Sequence, residues 1–279
     1  MFAHIHESTA GQTPKHQRML MKLLHRQWLT FVLVLSMAYW AVGGLLIVLA
    51  GLVLAPLLPL EKSRATGQWL LQEAFDVFLR LLRLCGVFEC EFHGFEALEG
   101  VTGGLIIAPN HPALWDAVFV IAKIRGLRCI LKDSLMHNPF LRGGAKLAGF
   151  IPNKPAHKML QHAIEALRQG DRLLFFPEGT RTRKQENAVN RFQGGIGIIA
   201  TQSSAPVWPV FIETNSDYLC KGWPLWRLPE RKIKLRITLG EPLASPPDES
   251  ATDFTERLRT VCLAALNNGS KTTESADMG

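Results

Sequence analysis

Charge is scarce in this sequence, and acidic charge scarcest: only 20% of its 279 residues are charged, with 24 acids against 31 bases. With a hydrophobic content of 47%, that scarcity excludes an intrinsically disordered chain. Cysteine is also sparse. The five (Cys85, Cys90, Cys129, Cys220, Cys262) are odd in number and lack metal-like spacing, which argues against a disulfide framework and for a reducing compartment. No internal repeat is present, and 23 glycines with 16 prolines exclude a fibre or long coiled coil. Three catalytic signatures are missing as well: the Gly-x-Ser-x-Gly nucleophile turn, the His-Glu-x-x-His zinc helix and the Gly-x-x-x-x-Gly-Lys-Ser/Thr phosphate loop. Gly194-Gly195-Ile196-Gly197 does not match the dinucleotide fingerprint and reads as a helix start packed on a sheet. What remains is a globular enzyme or binding protein of one or two domains, whose +7 net charge suits a phosphate, nucleic acid or acidic lipid partner.

One stretch has no charge at all. Gln27 to Leu60 is 34 residues long, enough to cross a bilayer with residues to spare, since about 20 suffice. A cleaved signal would be shorter, and a buried core helix seldom runs so far without a charge. Gly43-Gly44 and Gly51 interrupt the stretch, Pro56 and Pro59 break its far end, and both flanks are basic (Lys15, Arg18, Lys22, Arg26; Lys62, Arg64). The positive-inside rule therefore does not select a single crossing. A hairpin of two short helices, or a monotopic helix in one leaflet, keeps both flanks on one side and is the preferred reading. The expected organisation is a basic arm at 1–26, a membrane anchor at 27–60, a catalytic domain at 61–266 and a polar tail at 267–279.

Beyond residue 61 helical and strand periods alternate. Leu71, Phe75, Phe78 and Leu82 give 68–84 an amphipathic helical face. Gly104 to Ala108 is an apolar strand, followed by a helix expected to start near Pro112. A helix at 157–169 ends at Gly170, a strand runs from Arg172 to Phe176, a helix starts near Gly194, and a strand follows at Val207 to Ile212. Lys232 to Leu239 alternates strictly, with Lys232, Lys234 and Arg236 on one face, and a final helix covers 251–266. Strands separated by helical segments predict an α/β fold: a mixed sheet flanked by helices, behind an N-terminal hydrophobic helical anchor.

Two loops after strands carry chemistry-bearing residues, the place where open α/β sheets bind ligands. His111 and Asp116 stand five apart where a strand hands over to a helix. A carboxylate on one imidazole nitrogen fixes the tautomer and leaves the other free to take a proton from a hydroxyl. A capping histidine beside a surface aspartate gives the same spacing. Phe176-Pro177-Glu178-Gly179-Thr180-Arg181-Thr182-Arg183 places a carboxylate, a glycine and two arginines in one turn. An arginine fork suits phosphate oxygens, although a solvated charged loop has the same composition.

Taken together, Asn110-His111-Pro112-Ala113-Leu114-Trp115-Asp116 and Phe176 to Arg181 resemble the His-x4-Asp and Phe-Pro-Glu-Gly-Thr-Arg blocks of the glycerolipid acyltransferases. Lys132, Gly149-Phe150-Ile151 and Val207-Trp208-Pro209-Val210 follow in the family's order, so the resemblance covers about residues 75 to 240. It implies a 1-acyl-sn-glycerol-3-phosphate acyltransferase fold and activity. By matching position, His111 is the general base and Asp116 its orienting partner, while Asn110, Lys132, Lys154, Glu178, Gly179, Thr180 and Arg181 hold the acceptor. No metal and no resident cofactor are implied; acyl-CoA or acyl-carrier protein is the co-substrate, and the partners are membrane lipid and a lysophospholipid, with no nucleic acid. The implied location is the inner membrane, with the catalytic domain in the cytoplasm. The sequence departs from the family at one place: where phosphate-specific members carry an arginine after the Gly-x-x-Phe-Ile-like block, this chain has Lys154, a point donor without a fork. Lysophosphatidate therefore shares the field with other monoacylated or hydroxylated acceptors, such as a lyso-ornithine lipid. A non-catalytic anionic-lipid- or nucleic-acid-binding module is the reading from another class; no arginine stripe interleaved with aromatics supports it.

Overall fold

A computed structural model describes residues 15–183 and 188–276. Most of the expected basic arm and the last residues of the expected tail lie outside that range.

The uncharged stretch belongs to one unbroken helix, α1 (Lys15–Leu57). The arm/anchor boundary expected at residue 26 falls inside it, and no turn interrupts residues 27–57. The glycines do not break α1, and Gly51 lies where the helix crosses α4. A Cβ on Gly51 would stand 3.7 Å from the Gly143 carbonyl oxygen, and Val48 presses on Gly143 itself. Pro56 falls in the last turn, and the chain reverses at Leu58-Pro59 into α2 (Leu60–Leu84), so α1 and α2 together form the hairpin. α2 starts eight residues before the expected position 68 and buries Ser63, Gly67, Leu71, Phe78, Leu79 and Leu82 on one face.

The sheet comprises β1 (Phe88–His93), β2 (Leu105–Pro109), β3 (Leu127–Leu131), β4 (Ile151–Pro152), β5 (Arg172–Leu174), β6 (Val207–Thr214) and β7 (Ile233–Leu239). Its order is β1-β7-β6-β2-β5-β3-β4, with every pairing parallel except the antiparallel β6–β7. Helices α3 (Asp116–Lys123), α4 (Pro139–Leu147), α5 (Ala156–Arg168), α6 (Gly195–Ser203) and α7 (Ala251–Ala276) complete the architecture. Short 3-10 turns stand at Phe95–Leu98 and Asp133–His137. The central strand β2 shows how the layers divide: Leu105 and Ile107 join the core under α2 and α3, whereas Ile106 and Ala108 join the core under α5, α6 and α7. This is a mixed α/β sheet flanked by helices, as the sequence predicts.

Several local expectations change. α3 begins at Asp116 rather than Pro112, because the intervening loop is folded back on the Asp116 carboxylate. α7 continues ten residues past 266, through what reads as a polar tail. β1 and β4 were not expected, although Phe88, Cys90 and Phe92 alternate with polar residues along β1. β1 is an edge strand whose Glu89 and Glu91 face the β7 cations: Glu89 pairs with Lys232 at 3.1 Å and Glu91 meets Arg236 at 3.9 Å.

Candidate active site

β2 and β5 are neighbours and parallel, so the loops that follow them meet at one edge of the sheet. They are stitched together through the backbone of one residue: the His111 N–H donates to Glu178 Oε1 at 2.8 Å, and its carbonyl accepts from the Thr182 N–H at 2.7 Å. This places the imidazole beside the Glu-Gly-Thr-Arg turn. The Phe176 ring lies 4.3 Å from it, centroid to centroid.

His111 Nδ1 and Asp116 Oδ2 are 2.8 Å apart, and the same oxygen accepts from the Ala113 N–H at 2.8 Å. Asp116 is wholly buried, whereas the His111 side chain is 19% exposed. A carboxylate there accepts a proton-bearing Nδ1, which leaves Nε2 unprotonated and open to solvent. Burial pushes the Asp116 carboxyl above its ordinary range; the bond to His111 and the Ala113 N–H oppose that rise, while the nearby Glu178 charge adds to it. Its second oxygen, Oδ1, is buried and unpartnered among the described residues. Trp115 backs the loop, edge-on to Phe78 at 5.1 Å and to Tyr218 at 5.9 Å.

Two residues expected to touch a ligand do something else. Glu178 is 2% exposed, and both of its oxygens are spent inside the protein: Oε1 on His111 and the Thr182 hydroxyl (2.7 Å), Oε2 on the Asn190 N–H (2.9 Å). It holds the histidine loop rather than an acceptor. Asn110 is 3% exposed, and its amide makes a two-way clamp with the backbone of Ile212, donating at 3.0 Å and accepting at 2.7 Å. It locks the end of β2 to β6 and replaces rungs of the strand ladder.

Gly179 and Thr180 are exposed at the turn. Gly179 adopts φ +64°, and a Cβ would stand 3.2 Å from Gln193 Cγ, so the turn is built for glycine. Arg181 is half-buried; Nη1 donates to the Leu219 and Cys220 carbonyls, each at 2.9 Å, and this pins the β6–β7 connection against the turn. Lys132 and Lys154 are exposed beyond the carboxyl ends of β3 and β4. At about 4.8 Å per strand, they stand two and three strands along the edge from His111, roughly 10 and 14 Å away. They share the edge but do not join the cluster. Spacing in the sequence gives no hint of Thr182, Asn190 or Lys221, which the fold brings to the turn; Lys221 Nζ reaches Thr180 Oγ1 at 3.2 Å.

A mixed α/β sheet thus sets a histidine–aspartate pair, its imidazole partly exposed and its carboxylate buried, against a Glu-Gly-Thr-Arg turn. Residues 89–213 match the Acyltransferase family model. The chain is 25% identical over 199 residues to a 1-acyl-sn-glycerol-3-phosphate acyltransferase of Pseudomonas aeruginosa, covering 69% of this chain and 73% of that one. A chloroplastic 1-acyl-sn-glycerol-3-phosphate acyltransferase of Brassica napus is 23% identical over 140 residues, which is 48% of this chain and 40% of the plant protein. The crystal structure of PlsC, the 1-acyl-sn-glycerophosphate (LPA) acyltransferase of Thermotoga maritima, shares the fold with a TM-score of 0.67 at 19% identity, covering 88% of this chain and 97% of that one.

Proposed function

We propose that the chain transfers a fatty acyl group from an acyl thioester to the free hydroxyl of 1-acyl-sn-glycerol-3-phosphate at a membrane surface. The observation that carries the chemistry is the 2.8 Å His111–Asp116 contact beside an open Nε2. Nε2 takes the acceptor hydroxyl proton as the oxygen attacks the thioester carbonyl. The tetrahedral intermediate then breaks its C–S bond, and the imidazolium returns the proton to the leaving thiolate. The ester forms without a covalent acyl-enzyme, and the step calls for neither a metal nor a resident cofactor. A positioned base contributes roughly 10²- to 10⁴-fold, and holding both substrates in register supplies a further share. Arg181, whose Nη1 alone is spent on carbonyls, keeps guanidinium donors for a phosphate, with Gly179 and Thr180 beside it and Lys132 and Lys154 along the same edge.

The long apolar helix supports an in-plane membrane association. α1 touches the domain along its length: Trp28 Nε1 donates to the Cys85 carbonyl (3.0 Å), the Tyr39 hydroxyl to the Ala74 carbonyl (2.6 Å), and Val48 packs on Gly143. From residue 28 to 48 the axial rise is about 30 Å, the full hydrocarbon thickness. An upright crossing would carry α2 and α4 into the bilayer. In-plane insertion needs only the outer face of α1, where Phe31, Val34, Val42, Leu45, Leu49, Leu52 and Val53 are exposed. The inner membrane, with the domain in the cytoplasm, is the location this reading gives.

The test is His111→Ala, assayed by mass spectrometry across a panel of lysolipid acceptors. Transfer to lysophosphatidate falls by at least the roughly 10²- to 10⁴-fold ascribed to a general base, while the protein stays folded and membrane-associated. Transfer by the wild type only to a phosphate-free acceptor replaces the substrate with another hydroxylated lipid. Near wild-type activity of the variant removes the mechanism.

A further inference from the structure

Where α1 reverses into α2, the hairpin and α4 enclose an open-sided cleft of about 830 Å³, within the range of small-molecule sites. Its walls are mostly apolar: Val48 and Leu52 from α1, Leu58 and Leu60 around the reversal, and Leu147 from α4. Leu52 and Leu60 are largely exposed, so the cleft opens beside the apolar outer face of α1. Two cations line it as well. Arg142 and Lys146 stand one turn apart on α4, both exposed, and neither makes an ion pair among the described residues. Glu61 and Lys62, exposed after Leu60, add one charge of each sign and leave that balance unchanged. The apolar end of the cleft is remote from the catalytic pair. Ser63 lines it, whereas Phe78, further along α2, packs edge-on to Trp115 of the histidine loop at 5.1 Å. Between Ser63 and Phe78 the helix rises about 22 Å.

We infer that this cleft holds one anionic diacyl phospholipid of the surrounding bilayer, a resident lipid that is not consumed. Its phosphate lies on Arg142 and Lys146, and one acyl chain fills the apolar groove. The inference goes beyond the acyl-transfer reading and needs neither His111 nor an acyl donor. An apolar groove of this size left open to water is unfavourable, and a hydrocarbon chain removes that surface from water. The two cations select the headgroup. A phosphate accepts from a guanidinium and an ammonium together, whereas the hydrocarbon beside them serves neither. A zwitterionic headgroup brings a cation of its own, which the pair repels. A water-soluble anion has no use for the leucine and valine walls. The occupant touches α1, the reversal and α4 at once, so it braces the crossing where Val48 presses on Gly143.

The experiment uses the full chain in neutral detergent micelles, supplied with phosphatidylglycerol or with phosphatidylcholine of the same acyl chains. Native mass spectrometry counts the lipids retained, and thermal melts follow stability. The wild type is expected to retain one phosphatidylglycerol per chain, with a melting temperature that rises saturably with that lipid and not with phosphatidylcholine. The double variant Arg142→Gln/Lys146→Gln should lose affinity roughly 25-fold, at about five-fold for each cation removed. Its acyl transfer in phosphatidylcholine vesicles moves less than about two-fold. A control, Lys22→Gln/Arg26→Gln, removes two exposed cations of α1 outside the cleft. It weakens binding to anionic vesicles and keeps both the single adduct and the melting shift. No retained lipid in the wild type overturns the proposal, as does equal retention of the two lipids. Equal losses in the control and the cleft variant reduce the effect to general surface charge and overturn it too. A raised acceptor KM in the cleft variant, with no lipid retained by the wild type, reassigns the cleft to the path of the acceptor. Retention of phosphatidylglycerol by a wild type that transfers no acyl group sinks the acyl-transfer reading and leaves the lipid site standing.

Discussion

At the scale of single residues, the site sets stability against activity at one carboxyl. Asp116 is wholly buried with one oxygen unpartnered, and burial raises its pKa. A carboxyl whose folded pKa is raised contributes stability below its unfolded pKa, near the ordinary carboxylate value, and loses that contribution as pH climbs through the folded value. At neutral pH the charged form therefore costs stability, and the His111 bond offsets only part of the cost. Asp116→Asn keeps an oxygen for the Ala113 N–H and removes the charge. Its melting temperature is expected to exceed that of the wild type at pH 7 to 8, with the gap closing as pH falls toward 4, while kcat drops by roughly 10²- to 10⁴-fold. Thermal melts across that pH range, beside transfer assays, check both halves; a variant less stable than the wild type at every pH contradicts the first. The His111–Asp116 partnership was legible only when the five-residue spacing was joined to the Phe176–Arg181 block, since the spacing alone also fits a capping histidine beside a surface aspartate. The duties of Glu178 and Asn110 were not, because their partners are the His111 and Asn190 N–H groups, the Thr182 hydroxyl and the Ile212 backbone, which only the fold brings near. A motif read from sequence lists polar side chains without saying which of them face inward.

Among the elements, the elongated helix depends on small residues. A Cβ at Gly143 on α4 would stand 2.6 Å from Val48 Cγ2 and 2.8 Å from Val48 Cα on α1. A rotamer change relieves the first contact but not the second. Gly67 does the same for α2, where a Cβ would meet the Leu147 carbonyl carbon at 2.5 Å and the Ala148 nitrogen at 2.6 Å. Gly143→Leu should push α1 off α4, lower stability by about 1–3 kcal/mol as overpacking does, and expose α1 to protease in detergent, with Gly143→Ala milder. Equal protease resistance of Gly143→Leu and the wild type would show that α1 is held elsewhere. Periodicity recovered α2, α5, α6, β6 and β7, whose apolar spacing is regular. It missed β1 although Phe88, Cys90 and Phe92 alternate with Glu89, Glu91 and His93; the strand is six residues long and its two acids find their cations, Lys232 and Arg236, only across to β7. It missed α4 because Gly143-Gly144 reads as a loop in sequence and serves as a crossing point in three dimensions.

For the molecule as a whole, the decisive question is how one long, largely apolar helix meets a bilayer while the sheet is fastened along it. Composition alone allowed a crossing, and α1 is the one described helix long and apolar enough, with mean hydropathy 2.3 in its most apolar 18-residue window within His16–Leu54. Packing argues otherwise, since the Trp28, Tyr39 and Val48 contacts span a hydrocarbon thickness on the side facing α2 and α4. Only one side of α1 is left for lipid, and the exposed Trp226 and Leu225 at the β6–β7 loop add a second apolar contact point. On the proposed in-plane reading, both ends of α1 lie on the same side of the membrane as the sheet. In a background with the half-buried Cys85, Cys90 and Cys220 replaced by Ser, single cysteines at His16→Cys and Glu241→Cys, both exposed positions, report the two sides of the helix. An impermeant thiol reagent should leave both unlabelled in intact cells and label both once the inner membrane is opened. Labelling of one but not the other in intact cells means that α1 crosses, and the domain contacts that fasten it would then have to break in the membrane.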